Sequence, residues 1–319
     1  MKFSLKNEKN QAIAVFLIGS FILSGVEYVR FDGFFSSRAD ISEVEEVRFS
    51  SVDALQSFFM RQGYSLASWR ERAQPVPRLI LTSIPTAWGE DVASALTVED
   101  KKAVFLMLAL PLVLVSNEEL MELRARVQNF DDRNAGLQDR KWLQALSGQY
   151  QLEKSLSDPQ RVHQLLERID LIPTSIALAQ MIEESGWGTS RFAAEGNALF
   201  GQWTYKGGLK PQQQREEMGD YRIRAFETPL DSVRAYMLNL NTNPAYSAFR
   251  QKRAAFRQAG KKGRGAFELI KTLGAYSERG EDYIGTLKSI ILANDLLMFE
   301  NTLLQEKPIY SLKPSLVSD

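Results

Sequence analysis

The sequence predicts a mainly α protein with one small β-rich insertion. Three observations carry this. Apolar residues recur at helical spacing through most of the chain from Ser51 onward. Thr97-Val98-Glu99-Asp100, Asp158-Pro159 and Thr228-Pro229-Leu230-Asp231 are helix starts. About 35 residues after Ser185 lose the helical period and are rich in Gly, Lys, Gln and Glu. No strand–helix alternation is visible, which argues against a doubly wound sheet.

Composition narrows the chemistry. The chain has 319 residues, 44% apolar and 24% charged, with a formal net charge of zero. That suits a folded protein with a sizeable core. It gives no basic stripe for a nucleic-acid partner. Cysteine is absent and His163 is the single histidine, expected on the solvent face of its helix. Thiol nucleophiles and multi-histidine metal sites are thereby excluded, and acid–base chemistry falls to carboxylates and tyrosines. No metal and no cofactor are expected.

The elements follow in order. Residues 12–26, AIAVFLIGSFILSGV, follow Lys2, Lys6 and Lys9, the pattern of an export signal. We read residues 1–30 as an uncleaved signal anchor in the inner membrane with the lysines inside; a cleaved peptide is the alternative. Residues 31–75 read as a polar, acidic stalk with one short helix, Ser51 to Gln62, stopped by Gly63. Pro75 and Pro77 mark an extended connector. Ala103 to Val115 is apolar throughout and interrupted by Pro111. At thirteen residues it is short for a membrane span of roughly 20, so we read it as a buried central helix kinked at the proline. Further helices are expected from Asp158, over Leu171–Ser185, from Thr228, and around Tyr283, Leu287, Ile290 and Ile291. Tyr221 to Phe226 alternates as a short strand does, giving a flap of two or three strands. After Lys307 the chain reads as a loose tail, 309–319.

The stretch Leu171 to Gly201 concentrates the chemistry. Its helix ends on Glu183 and Glu184, followed by Ser-Gly-Trp-Gly. The negative helix end, burial against Trp187 and the neighbouring glutamate all raise a carboxyl pKa. A raised glutamate pKa suits a general acid, and glycosidic cleavage needs one to protonate the leaving oxygen. The bland alternative is a pair of solvated glutamates at a frayed helix end.

Glu184-Ser185-Gly186-Trp187-Gly188, with Asn197-Ala198-Leu199-Phe200-Gly201 after it, resembles the motif of bacterial β-N-acetylglucosaminidase domains of glycoside hydrolase family 73. More narrowly the chain resembles the Bax-type branch, membrane-anchored proteins of Gram-negative bacteria. The motif covers about 30 residues, with looser similarity from about Leu79 to Leu304. The resemblance implies a lysozyme-like α+β fold with a small β lobe and peptidoglycan glycan strands as substrate. It places the domain at 76–308, with a catalytic core of about 140–305, in the periplasm. It makes Glu184 the general acid. Gln180, Trp187, Asn197, Phe200, Gly201 and Tyr283 would shape the substrate site, and Tyr276 would assist catalysis. The acidic residue after Tyr276 comes sooner than in the family pattern. A second carboxylate would come from the β lobe, where Glu216 and Glu217 match by position and Glu227 is a further candidate. Without one, the substrate N-acetyl group could serve as nucleophile. Trp203 and Tyr205 are additional rings for stacking on sugars. A muramidase, a lytic transglycosylase, a chitin-type hydrolase and a non-catalytic glycan-binding protein are the competing readings.

Overall fold

The computed structural model describes residues 44–66, 75–89, 92–212, 214, 219–260 and 265–315. The anchor expected over residues 12–26 and the parts of the stalk at 31–43 and 67–74 lie outside the described residues. The architecture is mainly helical with a small β lobe, and it fits the lysozyme-like α+β class.

One 31-residue helix, Val98–Gln128, runs through the core. Thr97 caps it, its Oγ accepting from the Asp100 N–H at 3.1 Å. Its apolar stretch is apolar on every side, so it can only be stable surrounded by other elements. Val104, Leu110, Leu112 and Val113 are all buried. By length and composition the helix would also pass as a membrane span, but most of that window is buried inside the protein. Pro111 does not end it. A proline has no N–H for the carbonyl four residues back, here that of Met107. The Tyr64 hydroxyl donates to that carbonyl instead, at 3.1 Å.

Asp158–Arg168, Thr174–Ser185 and Pro229–Thr242 pack on this helix, and Leu137–Gln149, Ser247–Gln258 and Glu281–Ala293 pack on those in turn. The helix that the Asp158-Pro159 signal starts is capped one residue earlier. The cap is Ser157, whose N–H is met by the Gln160 side chain at 2.9 Å. Asp158 stands one residue inside, where it pairs with Arg140 and Arg161.

Two stretches differ from the sequence reading. Val44–Phe49 (β1), within the expected stalk, and Leu304–Pro314 (β5), which runs into the expected tail, are strands. With Val76–Leu81 (β2) they form a parallel sheet in the order β1-β5-β2. Glu45 and Leu79 both stand opposite Tyr310. Acidic density hid β1, where only Val47 and Phe49 turn inward. Lysines and prolines hid β5, where Tyr310 and Leu312 are buried while Lys307 is exposed. The helix Val52–Arg61 covers the sheet through Leu55, Phe58 and Phe59, with Phe58 edge-on to Tyr310 at 5.1 Å.

The flap is a two-stranded antiparallel pair, Trp203–Thr204 (β3) and Arg222–Ile223 (β4), extended by a bridge from Leu209 to Ile223. Ala198, Trp203, Tyr221 and Ile223 give it a small core of its own.

Candidate active site

The helix that ends on Glu184 is fastened at both ends. Its N-terminus follows Pro173, which has no side chain to cap with. Glu300, 125 residues away in sequence, accepts from the Ser175 N–H at 3.0 Å and from the Ser175 hydroxyl. A carboxylate at this end also matches the helix dipole. Asn117 of the central helix grips Ile172 through both the peptide N–H, at 2.9 Å, and the carbonyl, at 2.8 Å. Between the ends, Ile176, Ala177, Leu178, Ala179 and Met181 are fully buried.

At the C-terminus, three successive residues are left-handed: Gly186 (φ 58), Trp187 (φ 62) and Gly188 (φ 76). That conformation costs roughly 1–2 kcal/mol for a non-glycine residue. Trp187 is held there by several contacts. Trp88 Nε1 donates to its carbonyl at 3.1 Å, Phe105 meets its ring edge-on at 5.7 Å, and Lys102 Nζ lies 5.2 Å over the ring. Space is also tight at Gly188. A Cβ there would sit 3.1 Å from the Phe105 ring.

This turn leaves Glu184 partly accessible, against a cluster of buried tyrosines. Tyr283 donates to Glu184 Oε1 at 2.9 Å. Gln180 Nε2 donates to the Tyr283 oxygen at 3.0 Å, and Tyr236 donates to Gln180 Oε1 at 2.7 Å. All three bonds run the same way, toward the carboxyl, an alignment in which each bond polarises the next. Tyr276 stacks on Tyr283 at 5.7 Å and meets Tyr236 edge-on at 6.3 Å; Tyr246 lies 6.0 Å from Tyr276. Phe200 lies flat on Tyr236 at 3.9 Å.

Burial pushes the Glu184 carboxyl up to about 8; the Tyr283 hydrogen bond opposes this, Glu183 adds to it and Arg279 opposes it. Burial, reinforced by the charge on Glu184, holds the phenols of Tyr276 and Tyr283 well above their ordinary range. They are therefore neutral donors. Glu183 has a different environment: Arg279 Nη1 meets its Oε1 at 2.6 Å. Two adjacent glutamates thus divide into one beside a guanidinium and one beside a phenol.

The other expected site residues occupy several positions. Gln180 is fully buried, with its amide taken up by Tyr236 and Tyr283, so it stands behind the site. Trp187 packs its turn onto the central helix. Asn197, left-handed at φ 51, ties the lobes together. Its Oδ1 accepts from the Ile84 N–H at 2.9 Å, and its Nδ2 donates to the Phe226 and Glu227 carbonyls, each at 3.1 Å. Gly201 turns at φ 57. Trp203 is buried against Tyr221, whereas Tyr205 is 48% exposed. Glu227 is exposed. Glu216 and Glu217 lie outside the described residues. His163 is exposed, as expected.

Sequence reasoning missed Tyr236, Tyr246, Arg279 and Glu300. Tyr236 hides inside an apolar helical repeat with Val233, Met237 and Leu240. Nothing local in the sequence marks Arg279 as the partner of a glutamate 96 residues earlier.

Residues 159–296 match the family model described as mannosyl-glycoprotein endo-beta-N-acetylglucosaminidase. Those residues are similar to a glucosaminidase domain. Both Glu184 and the tyrosine cluster lie inside the matched residues. Protein bax of Escherichia coli (strain K12) is 39% identical over 134 residues, which is 42% of this chain and 47% of that protein. The match therefore spans about half the length of this relative. No solved structure matches the chain.

Proposed function

We propose that the protein is a peptidoglycan hydrolase that cleaves the β-1,4 bond after N-acetylglucosamine, with Glu184 as general acid. The observation that carries this is the half-buried Glu184, bonded on Oε1 by Tyr283 among buried tyrosines, where burial pushes its carboxyl up to about 8. At neutral pH such a group is mostly protonated. With Oε1 occupied as an acceptor from Tyr283, the proton belongs on Oε2, which turns to the leaving glycosidic oxygen. The oxocarbenium-like transition state then needs a nucleophile or a base. Glu216 or Glu217, between β3 and β4 in the sequence, fills that role, or the substrate's own acetamido oxygen does. Trp187 holds the turn, and Gln180 and Tyr236 orient Tyr283. The site works in the periplasm of a Gram-negative bacterium, with residues 12–26 as the inner-membrane anchor.

Product analysis tests the bond assignment. Purified peptidoglycan digested by the full chain should yield fragments with N-acetylglucosamine at the reducing end, read by mass spectrometry after borohydride reduction. N-acetylmuramic acid at that end would make the protein a muramidase, and a 1,6-anhydro end would make it a lytic transglycosylase. Intact strands, with no clearing zone in a peptidoglycan gel, would leave only glycan binding.

A further inference from the structure

Arg279 stands just before the helix Glu281–Ala293, and its guanidinium reaches two elements at once. Nη1 donates to Glu183 Oε1 at 2.6 Å, and Nη2 donates to Thr286 Oγ1 at 2.5 Å. Its Cζ lies 6.0 Å over the Tyr283 ring. Glu183 immediately precedes Glu184 on one helix. Thr286 follows Tyr283 by one helical turn on the other. The guanidinium thus joins the two elements whose side chains, Tyr283 and Glu184, meet in the 2.9 Å hydrogen bond. The turn that brings Arg279 back over its own helix is specialised. Gly280 has φ 51 and ψ −116, a conformation open to glycine and strained for a side chain. The Arg279 N–H donates to Ser277 Oγ at 3.3 Å, and Ser277 is buried. The Arg279 and Glu183 side chains are 31% and 24% exposed. A single ion pair that exposed adds little to stability, so its geometry calls for another account.

We propose that Glu183 and Arg279 form a positioning latch that sets the Tyr283 hydroxyl on Glu184. The proposal rests on the glycosidase reading above. In this role the pair moves no proton; it fixes where the phenol and the carboxyl stand relative to each other. A guanidinium suits the task, because its planar fork holds two acceptors in one rigid geometry. With the latch closed, Tyr283 occupies Oε1 and leaves Oε2 for the proton that goes to the leaving oxygen. With the latch open, the two helices lose that tie and the acid loses its assigned orientation. Small misplacements of a catalytic group are costly to the rate.

The test is a double-mutant cycle on peptidoglycan hydrolysis, with full-length wild type, Glu183→Ala, Arg279→Ala and the double variant. Both side chains are partly exposed, so the variants should fold, which melting temperature checks. Charge alone predicts opposite effects. The Glu183 charge raises the Glu184 carboxyl and the Arg279 charge lowers it, so the single substitutions would move the alkaline limb in opposite directions. At about pH 6 the acid keeps its proton in all four proteins, and charge alone predicts wild-type rates there. A latch predicts instead that kcat at that pH falls about 10-fold or more in each single variant while KM changes little. The double variant should fall no further than the slower single variant, because the latch is lost once. Thr286→Val keeps the shape, removes the second anchor and should lower kcat in the same direction. Wild-type kcat at that pH in either single variant, or a double variant whose loss is the product of the two, would overturn the latch and leave the glycosidase reading intact. A wild type that cleaves no peptidoglycan would overturn both.

Discussion

At the scale of single residues, the division of labour between Glu183 and Glu184 comes from their partners. Arg279 pairs with Glu183, while burial among the tyrosines pushes the Glu184 carboxyl up to about 8. The pH dependence follows. A general acid must carry its proton, so kcat/KM should fall as pH rises through about 8. Arg279→Gln removes a cation that lowers the Glu184 pKa and uncovers the Glu183 charge, which raises it. Both changes act in one direction, so the alkaline limb should move to higher pH by about half a unit or more. A limb that stays in place, or moves down, would separate Arg279 from the acid. The motif singled out Glu184 in the sequence, but its surroundings were not legible. The helix end, burial against Trp187 and Glu183 were the expected causes of its raised pKa; Glu183 does add to it, whereas the structure places tyrosines around Glu184 and turns Trp187 toward Phe105. Tyr236 and Arg279 reach the site only through tertiary packing.

At the scale of elements, the sequence marked most helices because caps and apolar periodicity are local signals. Thr97 and Thr228 cap where expected. What the sequence reading lacked were partners supplied from a distance. Glu300 caps the helix that Pro173 cannot. Tyr64 occupies the Met107 carbonyl that Pro111 leaves without a helical donor. The second case gives a direct measurement. Tyr64→Phe keeps the ring and strands a buried carbonyl, so urea unfolding should show a loss of about 1–3 kcal/mol. A change near zero would mean that the carbonyl finds another donor at no cost. The β lobe shows the same division. Alternation in Tyr221–Phe226 announced a strand, but nothing local showed that Asn197 would clasp both Ile84 and the Phe226–Glu227 peptides.

At the scale of the whole molecule, the mainly helical class was legible and the parallel sheet was not. Its strands come from near both ends of the described chain, and parallel pairing leaves no hairpin turn to read. β5 lies between β1 and β2, so neither outer strand has a sheet without it. A chain ending at Leu303 should therefore lose the sheet and expose Phe58 and Phe59, seen as rapid proteolysis of residues 44–81 in a truncated protein. Proteolysis at the wild-type rate would show that this layer holds by other contacts. The sheet packs on the central helix, joined by Arg78 to Glu118 at 2.5 Å. That helix in turn fixes the start of the Glu184 helix through Asn117. Distant packing thus sets the position of one carboxyl group. The most direct test of that carboxyl's role is the initial rate of Glu184→Gln on purified peptidoglycan. Glutamine keeps the shape and can still accept from Tyr283, but it has no acidic proton. Folding should not suffer. A carboxyl whose pKa rises on folding stabilises the native state below about 4.5 and gives up that contribution as pH climbs through about 8. The variant should therefore match or exceed wild type in melting temperature at pH 9. Its rate should fall by about 100-fold or more, the usual weight of a general acid. A folded Glu184→Gln protein that cuts peptidoglycan at the wild-type rate would contradict the account.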